Sequence, residues 1–368
     1  NGASAWIPQS PNEEAWNYES GAKLRDRSFR EVGDYFARIA GWYTAGGFKD
    51  EAGEEHSSSH HYALPWWEVL NEPEYEHALD IETYTRLYDQ VVESVHVVSP
   101  QTKFVGLSLA EPMKSPEAFT YFLNPANHKP GTPLNAISYH FYADAEPGES
   151  DTTQSYTFFA RADGFLNSVR YIEAIRKRLS PTTRTFVNEV GCIAADDLAH
   201  GEQQRNLTPT AHYWSLCGAV FVYLYAGLAE QGIDLIGSSQ LLGFPGQFPS
   251  VSMLDWKAGQ PNARYRVLQL LHDNFGPGDR IVDTKQLSSD VFVQAYVGSR
   301  GERKLLLINK RDHDIALRIP GAAGKAGKYV DMMTSAESAA FVTRLTGDVV
   351  LRSFAVMVVQ MSPFLIQQ

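Results

Sequence analysis

Two short stretches place a carboxylate where a strand should end. Trp66-Trp67-Glu68-Val69-Leu70-Asn71-Glu72-Pro73 is a mainly apolar run that closes on an Asn-Glu pair and is stopped by proline. Thr185-Phe186-Val187-Asn188-Glu189-Val190-Gly191 is a second such run. Two carboxylates at the C-terminal ends of parallel strands can meet across one mouth. Paired there, they suit glycoside hydrolysis: one gives a proton to the leaving oxygen and the other attacks the anomeric carbon. The donor must be protonated when the attacker is ionised, so their surroundings must differ. Either glutamate alone reads first as a loop salt bridge; the two together make the case for chemistry.

Between them, Ile137-Ser138-Tyr139-His140-Phe141-Tyr142 reads as a strand. His140 and Tyr142 are two apart and face one side. A phenol can donate to an ionised carboxylate, and an imidazole can orient a carboxylate or bind a sugar hydroxyl. Gln240, at the end of a later strand, and the aromatics Phe244 and Trp256 beyond it are candidate sugar contacts. His56, His60 and His61 form a small cluster, but Ser57-Ser58-Ser59 makes the segment a loop and no metal is assigned to it.

The elements that must position these residues alternate as strand then helix. Strands are expected near Ala5–Pro8, Trp66–Leu70, Phe104–Leu109, Ala136–Phe141, Thr185–Asn188 and Leu235–Gln240. Helices are expected at Phe29–Tyr43, Ile81–Val98, Ser115–Leu123, Phe165–Leu179 and Pro209–Gln231, the last capped by Thr208 with proline at its first position. This is the α/β pattern of a (β/α)8 TIM barrel over residues 1–278, whose catalytic groups sit at the strand C-termini. Only six strands can be counted, so the first two βα units look absent and a separate N-terminal segment is expected to complete the barrel. From residue 279 to 368 the texture changes to short alternating runs between glycine-rich turns, an antiparallel β-sandwich.

Composition narrows the partners. With 368 residues, 43% hydrophobic and 20% charged, the chain can bury a large core. A net charge of −11 and no lysine or arginine run longer than two argue against nucleic acid. The longest apolar run, Leu216–Ala229, is too short to span a membrane. Twelve per cent aromatics, with 7 Trp and 18 Tyr, suit stacking on sugar rings as well as core packing. No glycine-rich phosphate loop follows a strand, and no cofactor is expected. Cys192 and Cys217 are too few for a disulfide framework; whether they pair stays open.

The order Asn71-Glu72-Pro73, then His140-x-Tyr142, then Glu189 resembles the retaining glycoside hydrolases of clan A. Trp67–Pro73, followed by the helix to Pro100 and Ser99-Pro100-Gln101-Thr102-Lys103-Phe104-Val105-Gly106, is most similar to glycoside hydrolase family 39, a group of β-xylosidases and α-L-iduronidases with an accessory β-sandwich. The resemblance implies Glu72 as acid/base, Glu189 as nucleophile, Asn71 on the substrate 2-hydroxyl, and His140 with Tyr142 near the nucleophile. It implies an exo-acting β-xylosidase or related glycosidase on an oligosaccharide or glycoside, in a secreted, periplasmic or lysosomal-type setting. An endo-acting hydrolase or transglycosylase, or a non-catalytic sugar-binding barrel, would share these residues. Three departures stand out: the first two strands, whose ends contribute sugar-binding residues in the clan, are not visible, the last strand lacks a tryptophan, and Asn-Glu recurs as Asn188-Glu189. Oligomeric state is left open.

Overall fold

A computed structural model describes residues 26–146, 148–198, 209–242, 249–255, 258–286, 288–334 and 340–361. The expected strand at Ala5–Pro8 lies outside the described residues. The chain runs α1 (Arg30–Thr44), a hairpin of β1 (Gly47–Lys49) and β2 (Glu55–Ser57), β3 (Trp66–Glu68), α2 (Pro73–Glu76), α3 (Ile81–Val98), β4 (Lys103–Leu109), α4 (Glu117–Phe122), β5 (Ala136–Asp144), α5 (Asp151–Leu179), β6 (Arg184–Ile193), α6 (Ala211–Gln231), β7 (Leu235–Ser238) and α7 (Ala263–Asn274). The five strands β3-β4-β5-β6-β7 form one sheet in sequence order. Parallel pairing is seen at Trp66 with Lys103 and at Val105 with Ala136. Among the described residues five strands, not eight, line up in this way. They make a curled parallel sheet, half of a barrel.

The curl is visible in side chains from strands that are not neighbours. The Trp66 ring on β3 meets the Phe186 ring on β6 at 5.1 Å, edge to face, although β4 and β5 lie between those strands. Val105 and Ala136 complete that apolar layer. Outside it, α3 buries Tyr84, Leu87, Tyr88, Val91, Val92 and Val95, the i, i+3, i+4, i+7 stripe of an amphipathic helix. The Tyr84 hydroxyl donates to Val69 O at 2.9 Å and accepts from Leu107 N at 2.8 Å. It links the end of β3 to β4 at the point where β4 begins to pair irregularly with β5.

Several boundaries differ from expectation for physical reasons. α6 is capped by Thr210, whose hydroxyl accepts from Tyr213 N, so Pro209 precedes the cap rather than following it. α5 begins at Asp151, fourteen residues before the expected start, because Ser155, Phe158, Phe159 and Ala162 bury one face of a stretch that is otherwise polar. α7 was not expected; its inward face, Ala263, Val267, Leu270 and Leu271, includes the buried cation Arg264.

The chain forms two compact units. One runs to Phe141 and includes Ser168–Asn188 and Ile233–Leu235; the other comprises Tyr142–Asn167, Glu189–Gly232 and the chain from Ile236 on. The second unit contains the antiparallel strands β8 (Arg280–Val282), β9 (Val291–Val297), β10 (Arg303–Asn309), β11 (Ile315–Arg318), β12 (Ala326–Val330), β13 (Phe341–Arg344), β14 (Asp348–Leu351) and β15 (Val356–Met361). Six pair in the order β13-β12-β15-β10-β9-β8, and β11 pairs with β14. Leu307, Val349, Leu351, Met357 and Val359 build their shared core. The apolar run Val349–Val359 splits into two strands because Phe354 turns the chain at φ 52°.

Candidate active site

Glu72 stands beyond the end of β3, where the backbone still follows β4: Val69 N donates to Val105 O and Glu72 N to Ser108 O, both at 3.0 Å. Four non-glycine residues here are left-handed, Leu70 (φ 63°), Glu72 (φ 41°), Leu107 (φ 77°) and Ser108 (φ 49°). Such conformations cost about 1–3 kcal/mol each and gather at functional sites. Pro73 does not only stop the strand; it opens the four-residue α2. The Glu72 carboxylate places Oε1 2.8 Å from Nδ1 of His140, which is fully buried. His140 Nε2 lies 3.2 Å from Ser108 Oγ, and that hydroxyl donates to Asn71 Oδ1 at 3.4 Å. Asn71 Nδ2 donates to Glu76 Oε1 at 3.1 Å. Glu72, His140, Ser108, Asn71 and Glu76 are thus one polar chain. Beside it burial pushes the Glu74 carboxyl above the usual range.

Glu189 lies within β6, and its Oε2 is 2.7 Å from the hydroxyl of Tyr142 on β5. The same hydroxyl is 2.7 Å from Ser239 Oγ, just past β7. Gly191 makes room for this arrangement, since a Cβ there would come 2.7 Å from the Tyr142 ring. Arg264 reaches from α7, 1% exposed, to donate to the carbonyls of Val251 and Ser239, to Val190 O at 3.4 Å and to Ser238 Oγ at 3.2 Å. The guanidinium clamps the end of β7 to β6 and so fixes Ser239. Cys192 and Cys217 are free and buried, and burial pushes the Cys192 thiol well up.

The sequence-derived residues therefore fall into two groups joined by one strand. β5 carries both His140, which contacts Glu72, and Tyr142, which contacts Glu189. The expectation set both near the nucleophile; the structure gives His140 a bond to the other glutamate. Asn71 is present and tied to Glu76. Gln240 is half-buried, and its backbone pairs with Val251 and Met253. Phe244 and Trp256 lie outside the described residues. His56 pairs with Asp50 at 2.9 Å, and His60 stacks between Tyr43 and Tyr62, on the hairpin side of the chain. Ser108, Ser239 and Arg264 were not foreseen; a lone serine or arginine carries no local pattern, and only the fold delivers them. No helix among the described residues is long and apolar enough to cross a membrane.

No protein-family model matches the chain, and no curated protein does either. Solved structures do. A GH51 arabinofuranosidase from Xanthomonas axonopodis pv. citri aligns with TM-score 0.64 at 11% identity, over 90% of this chain and 73% of that one. The GH51 alpha-L-arabinofuranosidase of Thermotoga petrophila RKU-1 aligns with TM-score 0.58 at 14% identity, over 90% and 73%. A GH30 endoxylanase from Clostridium papyrosolvens C71 aligns with TM-score 0.51 at 14% identity, over 98% and 77%. At such identities the likeness is one of fold: this chain is built as those glycoside hydrolases are built.

Proposed function

We propose that the chain is a retaining O-glycoside hydrolase working by double displacement, with Glu72 as acid/base and Glu189 as nucleophile. One observation carries the reading. Each of the two carboxylates is gripped by a side chain of the strand β5, Glu72 just past β3 by His140 and Glu189 within β6 by Tyr142.

In the first step Glu72 gives its proton to the glycosidic oxygen while the Glu189 carboxylate attacks the anomeric carbon. The carbon–oxygen bond to the leaving group breaks, and a glycosyl ester on Glu189 forms. In the second step Glu72, now a carboxylate, takes a proton from water, whose oxygen attacks the same carbon and releases Glu189. His140 holds one Glu72 oxygen and Tyr142 holds Glu189 Oε2, so neither carboxylate has to be oriented during the reaction. Asn71, kept in place by Glu76, serves the sugar 2-hydroxyl, where hydrogen bonding strengthens as the oxocarbenium-like state develops.

The substrate we favour is a pentoside, β-xylosides first, cleaved from the chain end. The family 39 resemblance supports both, and the names of the similar structures, an arabinofuranosidase and an endoxylanase, support a pentoside. The endoxylanase favours internal cleavage as a second reading; products of mixed length from xylo-oligosaccharides, in place of xylose alone, would decide for it. Glu189→Gln should abolish turnover of aryl β-xylosides and aryl α-L-arabinofuranosides, and parent-like rates in that variant would end the proposal. Glu72→Ala should lose poor leaving groups most, with azide restoring turnover of activated substrates as a glycosyl azide of retained configuration. Sugar binding by calorimetry with no hydrolysis of any aryl glycoside would favour a non-catalytic sugar-binding protein.

A further inference from the structure

Glu68 lies four residues before Glu72 and has no part in the steps above. Its carboxylate accepts from Asn188 Nδ2 at 3.1 Å on Oε1 and 2.9 Å on Oε2, and from Ser138 Oγ. β3 and β6 are separated by β4 and β5, so on a flat sheet they would stand about 14 Å apart, three spacings of about 4.8 Å. A 2.9 Å contact between them exists only because the sheet curls until Glu68 and Asn188 face each other. Trp66 and Phe186 meet in the same way one layer earlier. Apolar rings can slide against one another, whereas hydrogen bonds to a carboxylate fix distance and direction. The orientation of Asn188 points the same way. Its Nδ2 turns to Glu68 although this leaves its Oδ1 buried with no hydrogen-bond partner among the described residues, an arrangement that costs stability unless the bonds to Glu68 hold it.

Each member of this group is a fixed short distance from the chemistry. Ser138 is two residues before His140 on β5, and Asn188 is the residue before Glu189 on β6. We propose that Glu68 is a positioning residue for the reaction inferred above, on which this proposal rests. By binding β5 and β6 from β3 it sets the spacing of the three strands that carry Glu72, the His140 and Tyr142 pair, and Glu189. The recurrence of Asn-Glu at 188–189 has its reason here: Asn188 is the partner of Glu68.

The test compares the parent with Glu68→Ala, Glu68→Gln and Asn188→Ala. In Glu68→Ala, kcat on an aryl glycoside should fall about a hundredfold, the scale of a 1 Å misplacement, with KM within about threefold. Glu68→Gln, whose amide oxygen can still accept from Asn188, should stay within about tenfold of the parent. Asn188→Ala should match Glu68→Ala, and the double variant should be no worse than either, because the residues act as one unit. Titration with a 2-deoxy-2-fluoro aryl glycoside separates placement from folding: a merely structural role lowers the fraction of titratable sites and leaves the rate per site intact, which would overturn the proposal. Crystal structures of parent and Glu68→Ala provide a reading that needs no turnover. The separation of the Glu72 and Glu189 carboxylates should change by about 0.5 Å or more, the tolerance of a working site; an unchanged separation defeats the proposal even if the protein hydrolyses no glycoside. Should Glu68→Ala fail to fold, Glu68→Gln and Asn188→Ala bear the same comparisons. Parent-like activity in Glu189→Gln, by contrast, sinks the assigned reaction and leaves the structural comparison standing.

Discussion

Tyr142 has one phenolic proton and two oxygen neighbours, Glu189 Oε2 and Ser239 Oγ, each at 2.7 Å. An ionised carboxylate can only accept, so the proton goes to Glu189 and Ser239 donates to the phenol oxygen in turn. The carboxylate is thereby held through a relay that ends on Arg264, whose guanidinium binds the Ser239 carbonyl. Tyr142→Phe removes the donor and leaves the ring over Gly191 in place. Hydrogen bonds to charged groups contribute about 1.5–3 kcal/mol, so kcat should drop roughly tenfold to a hundredfold with KM little changed, measured on an activated aryl glycoside. His140 and Tyr142 could be read from the sequence because a strand repeats every two residues and puts them on one side. Their division of labour could not: the imidazole meets Glu72 because of where that carboxylate stands past β3, and that is set by the left-handed turns at Leu70 and Glu72. Asn188 looked out of place for the opposite reason, since its partner Glu68 lies 120 residues away in sequence.

At the level of elements, α3 occupies the residues its pattern indicates, Ile81–Val98, because cap and stripe agree. The Asp80 side chain accepts from Thr83 N at 2.8 Å, and that backbone bond is the main cause holding its carboxyl below the usual range. The folded value thus lies below the unfolded one near 3.9. The stabilisation is complete above the unfolded value and is lost as pH falls through the folded one. Asp80→Ala should cost about 1 kcal/mol near neutrality, and urea titrations should show the gap between parent and variant shrinking from pH 6 to pH 3. α3 also holds the strands whose ends form the site, through the Tyr84 hydroxyl on Val69 and Leu107. Where the sequence misled, patterns conflicted. The stripe of α7 is interrupted by an arginine that burial would normally exclude, and the first half of α5 presents polar residues between its buried ones. Propensity and periodicity weigh residue types, whereas Arg264 is kept inside by four acceptors, on Val190 of β6, Ser238 of β7, Ser239 just past it and Val251.

For the molecule as a whole, the antiparallel strands β8 to β15 belong to the same compact unit as α6 and α7. Lys304, with its side chain 8% exposed, projects from β10 to bind Asn274 O at the end of α7 at 2.7 Å and Asp279 at 2.8 Å. Lys310 lies over the rings of Phe159 on α5 and Tyr223 on α6, and burial pulls its amine below the usual lysine range. β10 and the residue after it are therefore bound to these helices by charged side chains as well as apolar contact. Lys304→Met would leave Asp279 without its cation and should cost about 3 kcal/mol in urea unfolding, with α6, α7 and the antiparallel strands losing structure in one transition by hydrogen exchange. The change from helix-period to strand-period texture near residue 279 made the antiparallel strands legible, but their attachment was not, because no local pattern links Lys304 to Asn274. The left-handed residues around Glu72 bear on the whole chain in another way. Four strained positions at about 1–3 kcal/mol each rival the 5–15 kcal/mol by which a domain outlasts unfolding. Adaptation to heat would be served most directly by a glycine at Leu70, a step that would loosen the turn that aims Glu72. A lineage moving to hotter surroundings would have to recover that stability elsewhere, in helix caps such as Asp80 or in the antiparallel strands, to remain an enzyme.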